Sequence, residues 1–371
     1  MDKKIWVLSI FLLAVLFGLF FLFPGVFGSV VSYSKDGLSA NVEQTEAEQS
    51  IVVVPPLDIV AYDKKLEEIA NNPPPKVVVP KKDKDGNEIP VPPTPPPAYL
   101  WPVKTAYPND GALLPFNRII AYYGNLYSTK MGVLGEYPED VMLAKLAGEV
   151  KKWEIADPGT PVIPALHYIA VVAQGSAGKD GKYRARMPDS EIDKVLAIAA
   201  KINGIVFLDL QVGFSTVETE IPLLEKYLKL PNVHLALDPE FSMKGTIRPG
   251  KVVGTLDATD INFASNYLAK LVKENHLTPK ILMVHRYTQK MVTNYKQIKT
   301  MPEVQIIMNM DGWGGQAKKI GTYKNFIYSE PVQFTGFKLF YKNDLWDKGT
   351  VMMTPETLLK LNPRPVYIQF Q

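Results

Sequence analysis

The chain has 371 residues and a formal charge of +3, with lysines and acidic residues interspersed along its length. No basic face stands beside aromatic stacking platforms, so nucleic acid is not expected as a partner. The absence of cysteine excludes disulfides, a thiol nucleophile, cysteine-ligated zinc and a cysteine-linked lipid anchor.

The first feature in chain order is Met1-Asp2-Lys3-Lys4, followed by the uncharged apolar residues 5–23. A bilayer-spanning helix needs about 20 apolar residues, whereas the apolar core of a cleaved signal peptide has about 7–15. Residues 1–28 are therefore expected to be a signal anchor forming a transmembrane helix, with Lys3 and Lys4 in the cytoplasm. Cleavage near Val26-Phe27-Gly28 is the alternative and would release a secreted chain. Either way the remainder lies on the extracytoplasmic side. Residues 29–100 read as a linker, because Pro55-Pro56, Pro73-Pro74-Pro75 and the proline-dense residues 90–97 favour extended polyproline II. Residues 58–71 form a candidate short helix inside it.

From residue 101 to 371 one unit recurs: a short apolar strand ending in polar residues, then an amphipathic helix. The strand-like runs are 119–124, 162–171, 204–211, 234–241, 280–287, 304–311, 332–341 and 366–371. Eight such units predict an α/β fold of the (β/α)8 TIM-barrel type. Helix starts are marked by Pro138-Glu139-Asp140, Pro188-Asp189-Ser190-Glu191, Asp257-Ala258-Thr259-Asp260 and Thr354-Pro355-Glu356. No helical pattern follows the eighth strand. Residues 101–116 are therefore expected to pack where an eighth helix would lie, or to close the barrel floor.

Side chains alternate between the faces of a strand, so one parity points into the barrel. In Leu208-Asp209-Leu210-Gln211 the inward set contains Asp209 and Gln211; in Ala236-Leu237-Asp238-Pro239-Glu240 it contains Asp238 and Glu240. The same rule turns His285, Asp311, His167, Lys338 and Gln369 inward. Catalytic groups of such barrels collect at the strand C-termini, so Asp209, Asp238, Glu240, His285 and Asp311 are expected around one mouth. Two crowded carboxylates raise the pKa of one of them, which suits Asp238 and Glu240 to acid chemistry. Tyr122 and Tyr123 after the first strand, and Trp313 in Asp311-Gly312-Trp313-Gly314-Gly315, offer aromatic surfaces for a sugar ring. Trp346 is a further candidate. The glycines match neither a dinucleotide nor a P-loop pattern, and no Gly-x-Ser-x-Gly elbow occurs.

At Asp238-Pro239-Glu240 the chain resembles secreted (β/α)8 glycoside hydrolases of the family 18 and family 25 group, whose fourth strand ends in Asp-x-Glu. Family 18 enzymes carry further aspartates upstream, where this sequence has Leu235 and Ala236. It also resembles a group of secreted bacterial proteins, which implies no activity. The leading reading is a membrane-tethered glycosidase acting on cell-wall or extracellular polysaccharide without a cofactor. Glu240 would be the general acid, Asp238 would orient it, and Asp209 or Asp311 would be the partner carboxylate. Tyr122, Tyr123, His167, Gln211, His285, Trp313, Lys338 and Gln369 would bind substrate. The competing readings are a metal-dependent hydrolase using His167, Asp209, Asp238, His285 and Asp311, and a non-catalytic carbohydrate-binding barrel.

Overall fold

The computed structural model describes residues 55–74, 84 and 98–371. The expected anchor and most of the proline-rich stretch lie outside the described residues. Among those described, no helix is long and apolar enough to cross a membrane.

Eight parallel strands form a closed barrel. They are β1 (Arg118–Gly124), β2 (Val162–Ala173), β3 (Ile205–Leu210), β4 (Val233–Leu237), β5 (Lys280–Arg286), β6 (Val304–Met310), β7 (Phe334–Leu339) and β8 (Tyr367–Phe370). Each pairs with its sequence neighbour, and β1 pairs with both β2 and β8, which closes the ring. All eight coincide with the runs expected from apolar patterning, with ends shifted by a few residues. Past a bulge between Ile169 and Val171, β2 continues beyond the barrel and pairs antiparallel with Arg184–Arg186. Arg184 and Arg186 both donate to the buried Glu220, at 2.8 and 2.6 Å, which pins this extension.

The principal helices are α1 (Ile59–Ala70), α2 (Glu139–Ala156), α3 (Asp189–Ala200), α4 (Ala258–Glu274) and α5 (Gln316–Tyr323). A reciprocal capping box opens α4: Asp257 accepts from the Thr259 N–H, and Asp260 accepts from the Asp257 N–H. Between β3 and β4 the regular unit breaks into three short turns, and Pro222 sits where a continuous helix would need its N–H.

Strand parity separates two apolar layers. Ile119, Ala121, Phe207, Met283 and Ile307 fill the barrel, whereas Ile120, Leu208, Leu235, Val284 and Met308 meet the helices. Residues 101–116 close the floor. Leu114 is fully buried there, and the Gln305 side chain from β6 bonds both its N–H and its C=O. Helix α1 packs beneath. Leu66 and Ile69 join the inner cluster, and Tyr62 meets Tyr107 and Phe116 edge-on. The Arg364 N–H donates to the Ile69 carbonyl at 2.7 Å, and Asn71, in the left-handed region at the helix end, donates to the Leu361 carbonyl at 2.8 Å. The described residues, from Pro55 onward, belong to one compact unit. A domain boundary at residue 101 thus cuts away a helix, assigned by the sequence to the linker, that covers the barrel floor.

Candidate active site

The strand C-termini surround a cleft of about 560 Å³. Of the residues expected there, Asp238, Glu240, Asp311, Gln211, Tyr123, Lys338 and Trp313 line it. Asp209 does not. It pairs in register with Ala236, so Asp238, two residues further along, stands one inward-facing layer above it. Asp209 is fully buried under the cleft floor.

Asp238 follows β4 directly and caps a single turn, Pro239–Phe241. One of its carboxylate oxygens accepts from the Glu240 N–H at 3.1 Å, and the other accepts from Gln211 at 3.2 Å. Gln211 also donates to the Tyr123 hydroxyl at 3.2 Å and accepts from the Ala173 N–H at 3.1 Å, which holds its amide across the floor. Burial, added to by Asp209, Glu240 and Asp311 and opposed by His285, pushes the Asp238 carboxyl well above the usual range. Glu240 is half-buried; burial and then Asp311 raise its pKa, against the lowering influence of the neighbouring Tyr287 hydroxyl.

Asp311 behaves oppositely. Burial alone would raise its pKa, but Lys338 and His285 outweigh this and hold it below the usual range. The Lys338 ammonium lies 2.9 Å from one Asp311 oxygen and 3.8 Å from the centre of the Tyr123 ring. Lys338 therefore pairs with Asp311. His285 Nδ1 lies 2.8 Å from the other Asp311 oxygen, and its Nε2 faces Asp209 at 3.5 Å. Burial disfavours the imidazolium, yet Asp311 and Asp209 together push the His285 pKa up to about 10. Burial likewise opposes charge on Asp209, but His285 and His167 hold it well below the carboxylate range. His167, on the other side of Asp209 at 3.4 Å, is lowered to about 4 because burial outweighs that carboxylate.

Four expected substrate contacts lie elsewhere. Tyr122 has the outward parity: its hydroxyl meets that of Tyr341 at 3.0 Å in the layer beneath the helices. His167 and His285 are inward but fully buried below the cleft. Gln369 is buried as well, donating to the Tyr367 hydroxyl at 3.1 Å. Trp346 is 77% exposed and is not among the residues lining the cleft. Conversely, Tyr287, Phe340, Phe241, Lys130 and Lys318 line it without having been singled out. Tyr287 shares the parity of His285, and Phe340 that of Lys338, so strand patterning carried a signal for both.

The loop after β6 builds the aromatic wall. Gly314 adopts φ +123°, a region that side chains rarely enter, and its N–H donates to Asp344 at 3.0 Å. Asp344 is bound in turn by the buried Lys319 ammonium at 2.7 Å, which also donates to the Lys338 carbonyl. This buried pair ties the Trp313 loop to the end of β7. Lys318 lies over the Trp313 ring at 4.5 Å.

No protein-family model matches the chain, and no curated protein matches it. Among solved structures it is similar to the cellulase Cel5C_n, with 13% identity and a TM-score of 0.35, over 60% of this chain and 65% of that one. The match thus spans just under two thirds of the cellulase. It is also similar to the Bacillus subtilis mannanase man26, at 12% identity and a TM-score of 0.38, over 69% of this chain and 80% of that one. A third similar structure is a Burkholderia cenocepacia dihydropteroate synthase complexed with 7,8-dihydropteroate, at 10% identity and 0.33, over 69% and 86%. Likenesses at this level assign neither a family nor an activity.

Proposed function

We propose that this chain is a glycoside hydrolase acting on cell-wall or extracellular polysaccharide. The observation that carries the reading is the convergence of Asp238, Glu240 and Asp311 on one cleft walled by Tyr123, Tyr287, Phe340 and Trp313. Glycosidic cleavage needs one carboxyl that delivers a proton and one that stays charged, and aromatic faces suit the apolar faces of sugar rings. Glu240 is the proton donor in this reading. Asp238, whose side chain accepts from the Glu240 N–H, fixes the turn that carries it. Of the two partner carboxylates the sequence offered, Asp311 is the one in the cleft, where Lys338 keeps it ionised to act as nucleophile or base.

The pH dependence tests the assignment. A general acid works only while protonated, so kcat falls as pH rises through the Glu240 pKa, already shifted upward by burial and Asp311. The Tyr287 hydroxyl beside it opposes that shift. Tyr287→Phe removes it, raises the Glu240 pKa further and moves the alkaline limb of the pH–rate profile to higher pH. A limb that stays put, or moves to lower pH, rejects Glu240 as the donor.

The proposal extends to location. The uncharged residues 5–23 behind Lys3 and Lys4 support a membrane anchor, with the barrel held outside the cytoplasm by the proline-rich stretch. The full chain then stays with the membrane pellet after alkaline carbonate extraction. Quantitative release into the supernatant, with the N-terminal residues missing by mass, identifies the cleaved and secreted form instead.

A further inference from the structure

We infer that His167, Asp209 and His285 form a binding site for one divalent transition-metal ion, one layer beneath the cleft. These residues sit on β2, β3 and β5, and all three side chains are completely buried. One Asp209 oxygen lies 3.4 Å from His167 Nε2 and 3.5 Å from His285 Nε2. Those separations are too long for good hydrogen bonds but close to a tetrahedral edge. Ligands at about 2.0–2.1 Å from a tetrahedral zinc-like ion stand about 3.3–3.4 Å apart. The three donors fit within one small sphere, since their ligand atoms all lie within 4.8 Å of one another.

The other ring nitrogens face partners of their own. His167 Nδ1 is hydrogen-bonded to the Tyr367 hydroxyl at 2.7 Å, and His285 Nδ1 lies at ion-pair distance, 2.8 Å, from an Asp311 oxygen, outside hydrogen-bond geometry. A hydroxyl or carboxylate on the far nitrogen is how metal-bound imidazoles are oriented, and it leaves Nε2 of both rings aimed at Asp209. Neither Asp209 oxygen and neither Nε2 has a hydrogen-bond partner. A buried polar atom without a partner is costly, and here the unpartnered atoms point at one another. Protons on both rings answer Asp209 only through contacts of 3.4 and 3.5 Å to the same oxygen. A single cation answers all three ligands at once. Imidazole and carboxylate donors select a borderline divalent ion such as zinc over calcium or magnesium.

The test uses the full-length chain, stripped with a chelator and titrated with Co²⁺ and then Zn²⁺. The site predicts one equivalent of Co²⁺ bound, with the visible absorption of a low-coordinate cobalt centre, displaced stoichiometrically by Zn²⁺. It also predicts a melting temperature that rises with Zn²⁺ concentration, because the ion binds only the folded chain. Asp209→Asn weakens binding by about tenfold or more, whereas His276→Ala, at a surface histidine, leaves it unchanged. No stoichiometric uptake and no shift in melting by the wild-type chain overturns the proposal, whatever the variant does. Undiminished uptake by folded Asp209→Asn overturns it as well. The site stands apart from the glycan reading. Stoichiometric binding without glycan turnover rejects the proposed function and keeps the metal; turnover without uptake does the reverse.

Discussion

Glu240→Gln lowers glycan turnover by about 10²–10⁴, the usual contribution of a general acid, while leaving the fold intact. The amide keeps the shape of the side chain in a half-buried position and still meets Tyr287, but it has no proton to deliver to a leaving oxygen. Among the described residues Glu240 forms no ion pair, so the substitution strands no buried partner charge. Release of reducing ends from polysaccharide, measured beside a thermal melt, separates the catalytic effect from a folding effect. Wild-type turnover in a folded Glu240→Gln chain rejects the mechanism. Glycan binding without turnover by the wild-type chain identifies a carbohydrate-binding barrel instead.

The second large effect concerns the barrel floor. A chain lacking residues 1–98 loses helix α1 (Ile59–Ala70) and with it the cover over residues 101–116. Tyr62 and Ile69 are 2% and 8% exposed, and burying a large apolar side chain is worth roughly 1.5–3 kcal/mol, so the loss is on the order of 3–6 kcal/mol. The bonds from Arg364 to Ile69 and from Asn71 to Leu361 disappear as well. At roughly 2–4 °C per kcal/mol for a chain of this size, the melting temperature falls by on the order of 10 °C relative to a chain lacking only residues 1–52. Coincident melts mean that α1 is dispensable and that the folded domain begins at residue 101.

Parity was legible in the sequence; depth was not. The alternation along Leu208-Asp209-Leu210-Gln211 and Ala236-Leu237-Asp238 turned both aspartates inward, and both do point inward. Which of them reaches the cleft depends on the stagger between strands, here Asp209 opposite Ala236, and that is a property of pairing rather than of either strand alone. The same limit applies to His167, His285 and Gln369, which have the right parity one layer too low. Tyr122 shows the converse: next to an inward Tyr123 it must face the helices, and composition alone made the pair look equivalent. Lys130 reaches the cleft from a loop, whose path no strand or helix period records, and Lys318 from the first turn of α5. Helix α1 was legible through Asp58, which accepts from the Ala61 N–H at its start, but its docking depends on Leu361 and Arg364 near the other end of the chain.

The most direct measurement of the central claim is a structure of the Glu240→Gln chain with a bound oligosaccharide. The proposed chemistry puts a bridging glycosidic oxygen within about 2.6–3.2 Å of the side chain at position 240, with the anomeric carbon turned towards Asp311 and a sugar ring against Trp313 or Tyr123. The separation of the two carboxyl groups then distinguishes retention, at about 5–5.5 Å, from inversion, at about 6.5–9.5 Å. A ligand whose glycosidic bonds all lie out of reach of Asp238, position 240 and Asp311 contradicts the claim that this cleft cleaves glycans.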